Sequence, residues 1–290
     1  MNDFILEYEL SIRLGAFIGI FAAMALWEML APKRRLLVAK AGRWINNLGL
    51  VVLNSLVLRL LFPAAAVGMA AFTTEHGWGL LNVMEMPGWL SLVLSVILLD
   101  LVIYLQHVMV HAVPTLWRLH RVHHADPDID LTTGARFHPI EIILSMLIKF
   151  AAIAALGPPV VAVVIFEVVL NGMAMFNHAN VRLPAALDRG LRWLLVTPDM
   201  HRVHHSVEAD ETNSNFGFNL SLWDRLMGTY KEQPRKGHLD MKIGLDSLQD
   251  PAITTRLPGM LMIPFRQLND SYAINRRSWG SGTPPGGNAP

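Results

Sequence analysis

The chain of 290 residues contains no cysteine. This absence excludes disulfides, thiolate zinc sites and cysteine-ligated iron–sulfur clusters. Charged residues make up only 16% of the chain and the net charge is +1, so nothing indicates a nucleic-acid partner. There is no Gly-x-Gly-x-x-Gly dinucleotide fingerprint, and no second domain long enough to hold a haem or a flavin. Electrons for any redox reaction must therefore come from outside the chain.

Apolar residues are abundant instead. They form 52% of the chain, and the mean hydropathy is +0.36, which is rare for a soluble domain. A bilayer crossing takes about 20 mostly apolar residues, and several runs are long enough. We expect full spans at about 10–31, within 45–73 and at 88–112, with residues 45–54 lying at the interface. The first run follows acidic rather than basic residues, so we expect a retained anchor and not a signal peptide.

Two further runs, 140–156 and 160–177, are joined by Gly157, Pro158 and Pro159, which interrupt a helix. This pattern predicts a hairpin into the membrane and back. The basic cluster at 33–35 follows the first span, so the positive-inside rule places its end in the cytoplasm and the N-terminus outside. The fold class that we predict is all-α: a multi-pass membrane helical bundle of about three full spans plus a membrane hairpin, with a cytosolic helical cap.

Histidine is the most informative residue type. The pentapeptide His-Arg-Val-His-His occurs at 120–124 and again at 201–205. On a helix, positions i, i+3 and i+4 share one face, so each copy points three imidazoles the same way. Ten of the twelve histidines fall between 107 and 205: His107, His111, His120, His123, His124, His138, His178, His201, His204 and His205. All ten are predicted on the cytoplasmic side, whereas His76 and His238 are expected to have no role in a site.

Ten clustered imidazoles indicate metal. They would repel one another if protonated, and they would leave many polar nitrogens unpaired if buried and neutral. One ion takes at most about six ligands, so ten histidines suggest two ions with about five nitrogens each. Haem is a weaker explanation, because it needs one or two axial histidines. A pH sensor needs no such spacing. An imidazole shell suits iron, zinc, copper or nickel, and the residues alone leave that choice open.

Polar residues within or beside the spans suggest a supporting shell. An ionisable group in a span costs about 2.5–3.5 kcal/mol even on insertion scales. A ligating imidazole usually donates its other N–H to a carboxylate or carbonyl, so we expect some of these residues to orient histidines. The candidates are Asp100, Glu141, Glu167, Asn177 and Asp199. The alternative is that such groups tie helices together, or that Asp100 pairs with Arg59.

The motifs together resemble the fatty acid hydroxylase superfamily, which includes sterol desaturases, sphingolipid hydroxylases and alkylglycerol monooxygenases. The resemblance covers roughly 90–232. Its motifs are His107-x3-His111, the two pentapeptides, PheHisProIleGlu at 137–141, AsnHisAlaAsn at 177–180, and the segment that begins ThrAsnSerAsnPheGlyPhe at 212. The first motif has three intervening residues where some lipid hydroxylases of the family have four, which affects the subfamily and not the superfamily.

The resemblance implies an integral-membrane, non-haem enzyme with two iron ions, for which zinc could substitute, that uses O2 and two electrons to oxidise a lipid C–H bond. The family's ligand positions fall on all ten clustered histidines. We expect a catalytic domain at 88–235, after anchor spans at 1–87 and before a C-terminal extension at 236–290. The composition of the last residues predicts a disordered tail from about 277.

The expected function is hydroxylation of a fatty acyl, sterol or sphingolipid-like substrate that enters from the bilayer. A desaturase or an ether-cleaving monooxygenase could use the same site, because hydroxylation and desaturation share the first hydrogen abstraction. A protein of another class, a non-catalytic membrane metal-binding protein, is the third alternative. For an enzyme we expect a separate electron donor of the ferredoxin, rubredoxin or cytochrome type, and a location in a bacterial inner membrane. The oligomeric state is open.

Overall fold

A computed structural model describes residues 2–268 and Ile274. Every regular element in this part of the chain is a helix, as predicted, and extended backbone is limited to isolated antiparallel bridges such as Leu195 to Leu220. The tail that we expected to be disordered from about 277 lies outside the described residues.

Five segments are long and apolar enough to cross a membrane, which confirms the predicted membrane helical bundle. They are Glu7–Leu30, Lys40–Val83, Gly88–Ala112, Pro139–Leu156 and Val160–His178. The first lies in α1 (Asn2–Leu30), and the second contains α2 (Lys40–Leu61), α3 (Ala65–Glu75) and α4 (Leu80–Val83). The other three are α5 (Gly88–Ala112), α7 (Pro139–Leu156) and α8 (Val160–His178), and α6 (Pro114–His124) follows α5 directly.

The second apolar stretch differs from the expectation. We predicted an interfacial segment at 45–54 and a crossing after it, but α2 is one helix from Lys40 to Leu61 and a new helix starts at Ala65. The reason is Pro63, which has no N–H to donate and disfavours helical backbone in the residue before it. The chain therefore turns at 62–64.

The hairpin between α7 and α8 agrees with the prediction. Gly157 ends α7 in the left-handed region at φ 64°, which a residue with a side chain adopts at a cost. A Cβ atom there would also collide with the carbonyl of Trp78 in the loop before α4. The glycine thus serves both the reversal of the chain and the close packing of the two loops.

Helix α8 is the centre of the bundle. Half of its apolar window is buried, a larger share than in the other four spans, and α1 and α5 pack against it. Phe166 and Val163 of α8 join Leu99 of α5 and Ile153 of α7 in the main apolar cluster. The helix that ends at His178 is therefore held from several sides.

Short helices beyond the spans form the cap. They are α9 (Ala185–Leu191), α10 (Pro198–His204), α11 (Ala209–Thr212), α12 (Leu222–Leu226), α13 (Gly237–Asp240), α14 (Pro251–Thr254) and α15 (Leu257–Met262). The last helix, α15, and the residue after it pack on α6, which carries the first pentapeptide: Met260 and Ile263 join Trp117 of α6 in one apolar cluster.

Buried ion pairs join the spans to the cap. Arg43 of α2 lies with Nε 2.8 Å from Asp126 Oδ1 and Nη1 2.8 Å from Asp130 Oδ2, and all three side chains are fully buried. Burial raises the pKa of Asp126, but Arg43 and Arg136 outweigh this effect and hold that pKa below its usual value. After α1, Lys33 Nζ lies 2.7 Å from Asp199 of α10. The basic segment at 33–35 and the cap are thus on the same side of the bundle.

Candidate metal centre

Four helices present the histidines. His107 and His111 lie on the last turns of α5, and His178 is the last residue of α8. The first pentapeptide lies on α6 and the second on α10, except that His205 follows the end of α10. Both α6 and α10 start with a proline in the first turn, and Thr197 Oγ1 caps α10 by accepting from Met200 N at 3.3 Å.

Nine of the ten predicted ligands gather in two buried groups. One contains His107, His111, His120, His124 and His204, and the other contains His123, His178, His201 and His205. Within each group one nitrogen from every ring lies within 4.8 Å of the others, and each of the nine residues is at most 6% exposed. The groups adjoin, because the ring centroids of His124 and His205 are 4.7 Å apart.

The two pentapeptides are interleaved between the groups. In the first copy, positions i and i+4 (His120 and His124) enter the five-histidine group, whereas i+3 (His123) enters the other. In the second copy the assignment is reversed: His201 and His205 enter the four-histidine group and His204 the five-histidine group. Each repeat therefore contributes to both groups, and each group contains histidines from both repeats.

Hydrogen bonds donated by Nδ1 determine which ring nitrogen faces inward. Three rings donate Nδ1–H to a backbone carbonyl at 2.8 Å: His107 to Phe216, His178 to Ala174 and His204 to Ser214. His120 donates Nδ1–H to Glu141 Oε1 at 2.6 Å. Because a neutral imidazole has one N–H, each of these rings keeps its lone pair on Nε2.

The inward nitrogens converge. His178 Nε2 lies 3.1 Å from His123 Nε2 and 3.0 Å from His201 Nε2. Two nitrogens bound about 2.0–2.1 Å from one ion at a right angle would be about 3 Å apart, so this spacing suits two ligands of one ion. Gly134 keeps the site compact, because a Cβ atom there would collide with the Ala174 carbonyl beside His178.

The donor set fits metal ions. Ten ring nitrogens of the nine histidines are buried and have no hydrogen-bond partner among the described residues, including Nε2 of His107, His111, His120 and His204. At about 1–3 kcal/mol each, their combined cost would equal or exceed the about 5–15 kcal/mol that stabilises a typical domain. Protonation does not relieve the cost, because burial lowers the pKa of His204 to about 3. Neutral imidazoles with inward lone pairs are suitable metal ligands.

His138 lies outside both groups. It precedes α7, where its Nδ1 accepts a hydrogen bond from Ile140 N at 3.2 Å. The ring centroids of His138 and Phe265 are 6.2 Å apart. The cause is local: a histidine directly before the helix that starts at Pro139 is used as a helix cap. His76 and His238, for which we expected no role in the site, also lie outside the groups.

Among the five predicted supporting residues, Glu141 contacts a histidine of the two groups, through its bond to His120. Asp100 does not; it accepts from Trp223 Nε1 at 2.8 Å and from the backbone of Asn219 and Leu220. It therefore anchors the loop after the site, and its partner is not Arg59.

The other three predicted supporting residues also contact groups other than the clustered histidines. Glu167 pairs with Lys149 at 2.7 Å and Arg13 at 3.3 Å, which ties α8 to α7 and α1. Asn177 donates to the Phe218 carbonyl at 2.9 Å. Asp199 pairs with Lys33 and Arg202; burial raises its pKa, but these cations lower it to about 2. These residues join elements around the site and do not orient its imidazoles.

Residues 213–217 do orient the imidazoles, and the sequence reasoning did not find them. The Phe216 and Ser214 carbonyls accept from His107 and His204, and Asn213 Oδ1 lies 3.3 Å from His111 Nδ1. Asp224 holds this loop by accepting from Phe216 N at 2.7 Å and Gly217 N at 2.8 Å. The role of a backbone carbonyl cannot be read from the type of its side chain, so the clue in the sequence was the ThrAsnSerAsnPheGlyPhe motif itself.

Comparison with known proteins agrees with this geometry. The family model described as fatty acid hydroxylase matches residues 92–229. Ornithine lipid hydroxylase OlsE of Rhizobium tropici is 27% identical over 239 residues, which cover 78% of this chain and 69% of that protein. Alkylglycerol monooxygenase of Xenopus tropicalis is 30% identical over 196 residues, which cover 66% of this chain and 42% of that protein. The human alkylglycerol monooxygenase is 28% identical over 51% of this chain and 32% of its own length. No solved structure matches.

The matched region contains both pentapeptides, the parts of α5 and α8 that carry His107, His111 and His178, and the loop that orients the rings. Residues 92–229 therefore form a fatty acid hydroxylase domain, and the relatives support its place in the fatty acid hydroxylase superfamily.

Proposed function

We propose that the protein is a membrane-bound, non-haem di-iron oxygenase that uses O2 and two electrons to hydroxylate a C–H bond of a membrane lipid. The observation that carries the proposal is the pair of adjoining groups of five and four buried histidines inside a fatty acid hydroxylase domain. A lipid C–H bond has no acidic proton, so acid–base residues alone would not cleave it.

The nine grouped histidines are the ligands in this proposal, five for one ion and four for the other. Iron held there would supply the oxidising power for O2-dependent attack on the C–H bond. Zinc suits the same nitrogens but has no redox chemistry, so a zinc-loaded protein would be inactive.

The protein's own groups prepare this site. Glu141 and the carbonyls of Phe216, Ser214 and Ala174 each hold one ring with Nε2 inward. Fixing the rings in advance reduces the reorganisation needed when metal binds. Burial of all nine histidines excludes bulk water from the place where the substrate would be oxidised.

The substrate would reach the site from the bilayer, because three of the nine ligands lie on membrane-spanning helices. The similarity to an ornithine lipid hydroxylase over 69% of that protein favours hydroxylation of a polar membrane lipid. Cleavage of an ether lipid is the second candidate, favoured by 30% identity to an alkylglycerol monooxygenase, of which this chain spans under half.

We place the site on the cytoplasmic side of a bacterial inner membrane. Support comes from Lys33, which pairs with Asp199 of the cap and belongs to the basic cluster after the first span. A separate electron donor of the ferredoxin, rubredoxin or cytochrome type would then dock on the cytoplasmic face, which carries several arginines.

Lipid analysis tests the proposal. Lipids from a deletion strain would be compared with those from strains complemented by the wild type, His204→Ala or His76→Ala. We expect one lipid class to gain an oxygen in the wild type and the His76→Ala control, and no gain with His204→Ala. Loss of two hydrogens would instead indicate a desaturase, and loss of an ether chain an ether-cleaving enzyme. An unchanged lipidome from a metal-loaded protein would support a non-catalytic metal-binding protein.

A further inference from the structure

Five large apolar side chains are exposed together on the cap and have no role in the site. We name them the outer patch: Trp193 (68% exposed), Leu194 (60%), Leu222 (39%), Leu226 (64%) and Met227 (54%). They belong to two segments joined by backbone contacts, since Ser221 N donates to the Leu194 carbonyl at 3.0 Å and Leu195 bridges to Leu220. The five side chains therefore lie on two adjacent segments and are not scattered over the cap.

Helix α12 is inverted relative to a helix at a water-facing surface. Leu222 and Leu226, at i and i+4, share one face and point outward, whereas Trp223 and Asp224 are buried. Asp224 accepts a hydrogen bond from the backbone of the loop that orients His107, and Trp223 donates one to Asp100. An apolar outer face over a polar, hydrogen-bonded inner face is typical of a helix in contact with lipid.

Hydrogen bonds to α5 locate the patch relative to the spans. Asp100 binds Trp223 Nε1 at 2.8 Å, and Tyr104 Oη lies 2.9 Å from Thr229 Oγ1. Asp100 precedes His107 by seven residues, so it lies about 10 Å further into the bundle than His107 along α5, at 1.5 Å per residue. The α12 part of the outer patch thus lies beside the span α5, on the membrane side of the histidines.

The charges around the patch suit a bilayer surface. The guanidinium of Arg225 lies 4.4 Å above the Trp193 ring and 4.0 Å above the Tyr230 ring, and Arg189 is exposed in a shallow depression beside Trp193. Of the carboxylates nearby, Asp188 and Asp224 are buried and already paired, whereas Glu232 is exposed in the cavity that Arg189 also lines. Arg225 is half-buried and also donates to the Arg192 carbonyl at 2.9 Å, so Arg189 is the exposed cation of the two. An exposed cation next to exposed apolar groups complements lipid phosphates above acyl chains.

From this placement we propose that the outer patch is seated in the lipid leaflet next to the histidine groups, with its apolar side chains among the acyl chains and Arg189 among the phosphates. It continues the lipid-facing surface of α5, on which Leu105 is 50% exposed. Residues 193–194 and 222–227 of the cap then lie at the membrane interface and not in the cytosol. The proposal concerns membrane contact and is independent of the reaction.

The absence of cysteine makes a direct test practical, because every introduced cysteine is unique. Spin labels would be attached to Leu222→Cys and Leu226→Cys in the full chain, reconstituted in nanodiscs of phosphatidylcholine and phosphatidylglycerol. Leu105→Cys on α5 is the lipid reference, and Lys242→Cys, exposed on the cap, is the water reference. The measurement is collision with O2, which concentrates in lipid, relative to a water-soluble nickel chelate.

We expect both patch labels to shift from the Lys242 value towards the Leu105 value, with more O2 collisions and fewer chelate collisions. Collision ratios equal to that of Lys242 at both positions would overturn the proposal. Dipolar broadening between labels of two chains would overturn it in favour of a second copy on the patch. Because both side chains are exposed, the substitutions leave the buried contacts of α12 in place.

Discussion

Glu141 is the carboxylate that the structure places on a histidine of the five-histidine group. It is 4% exposed, and its Oε1 lies 2.6 Å from His120 Nδ1. Replacing Glu141 by Ala should leave His120 free to rotate and make Nε2 a weaker donor. Loss of such a partner lowers metal affinity by about 10–100-fold, equivalent to about 1.4–2.7 kcal/mol. Glu141→Gln keeps an acceptor oxygen but loses the charge, so it should lower metal affinity by less than Glu141→Ala does.

The assay is competition between the protein and a chelator of known affinity. Glu167→Gln is the matched control, since that glutamate is equally buried but pairs with Lys149 and Arg13. It should alter thermal stability and leave metal affinity close to that of the wild type. The reasoning is refuted if Glu141→Ala binds metal as tightly as the wild type, or if Glu167→Gln weakens binding by the same factor.

Three further outcomes follow from the structure. Arg43→Met leaves Asp126 and Asp130 buried without their shared cation, so we expect about 3–5 kcal/mol of destabilisation, seen as a lower Tm in detergent; an unchanged Tm would contradict this. His138→Ala should keep the full metal content and lose about 0.5–2 kcal/mol as a missing helix cap; loss of a metal ion would instead include His138 among the ligands. Removing the metals with a chelator should lower the Tm of the wild type by much more than the Tm of His204→Ala. Equal Tm shifts would contradict metal binding by these rings.

Sequence spacing was sufficient to indicate a histidine-rich centre but not its internal division. The i, i+3, i+4 spacing shows that His120, His123 and His124 share a face, and all three do belong to the two adjoining histidine groups. It does not show that His123 turns to a different group from its neighbours, because that depends on where α8 and α10 approach α6.

The supporting shell was predicted less well, for a physical reason. Position on a helix face gives the direction of Asp100 or Glu167 but not the element that packs opposite. Asp100 meets the loop at 219–223 and Glu167 meets Lys149, while carbonyls that no side chain reveals orient three of the rings. The fold itself was easier, because apolar length and the Gly157 reversal are local signals. The break at Pro63 was an equally local signal that the hydropathy pattern concealed.

The central claim is that nine interleaved histidines hold two metal ions. Elemental quantification of the wild type purified anaerobically, beside His201→Ala and His204→Ala, tests it most directly. These variants remove one ligand from the four- and the five-histidine group, respectively. We expect about two ions per chain in the wild type and a lower content in each variant. A wild-type chain with one ion or none, or variants that keep the wild-type content, would contradict the claim.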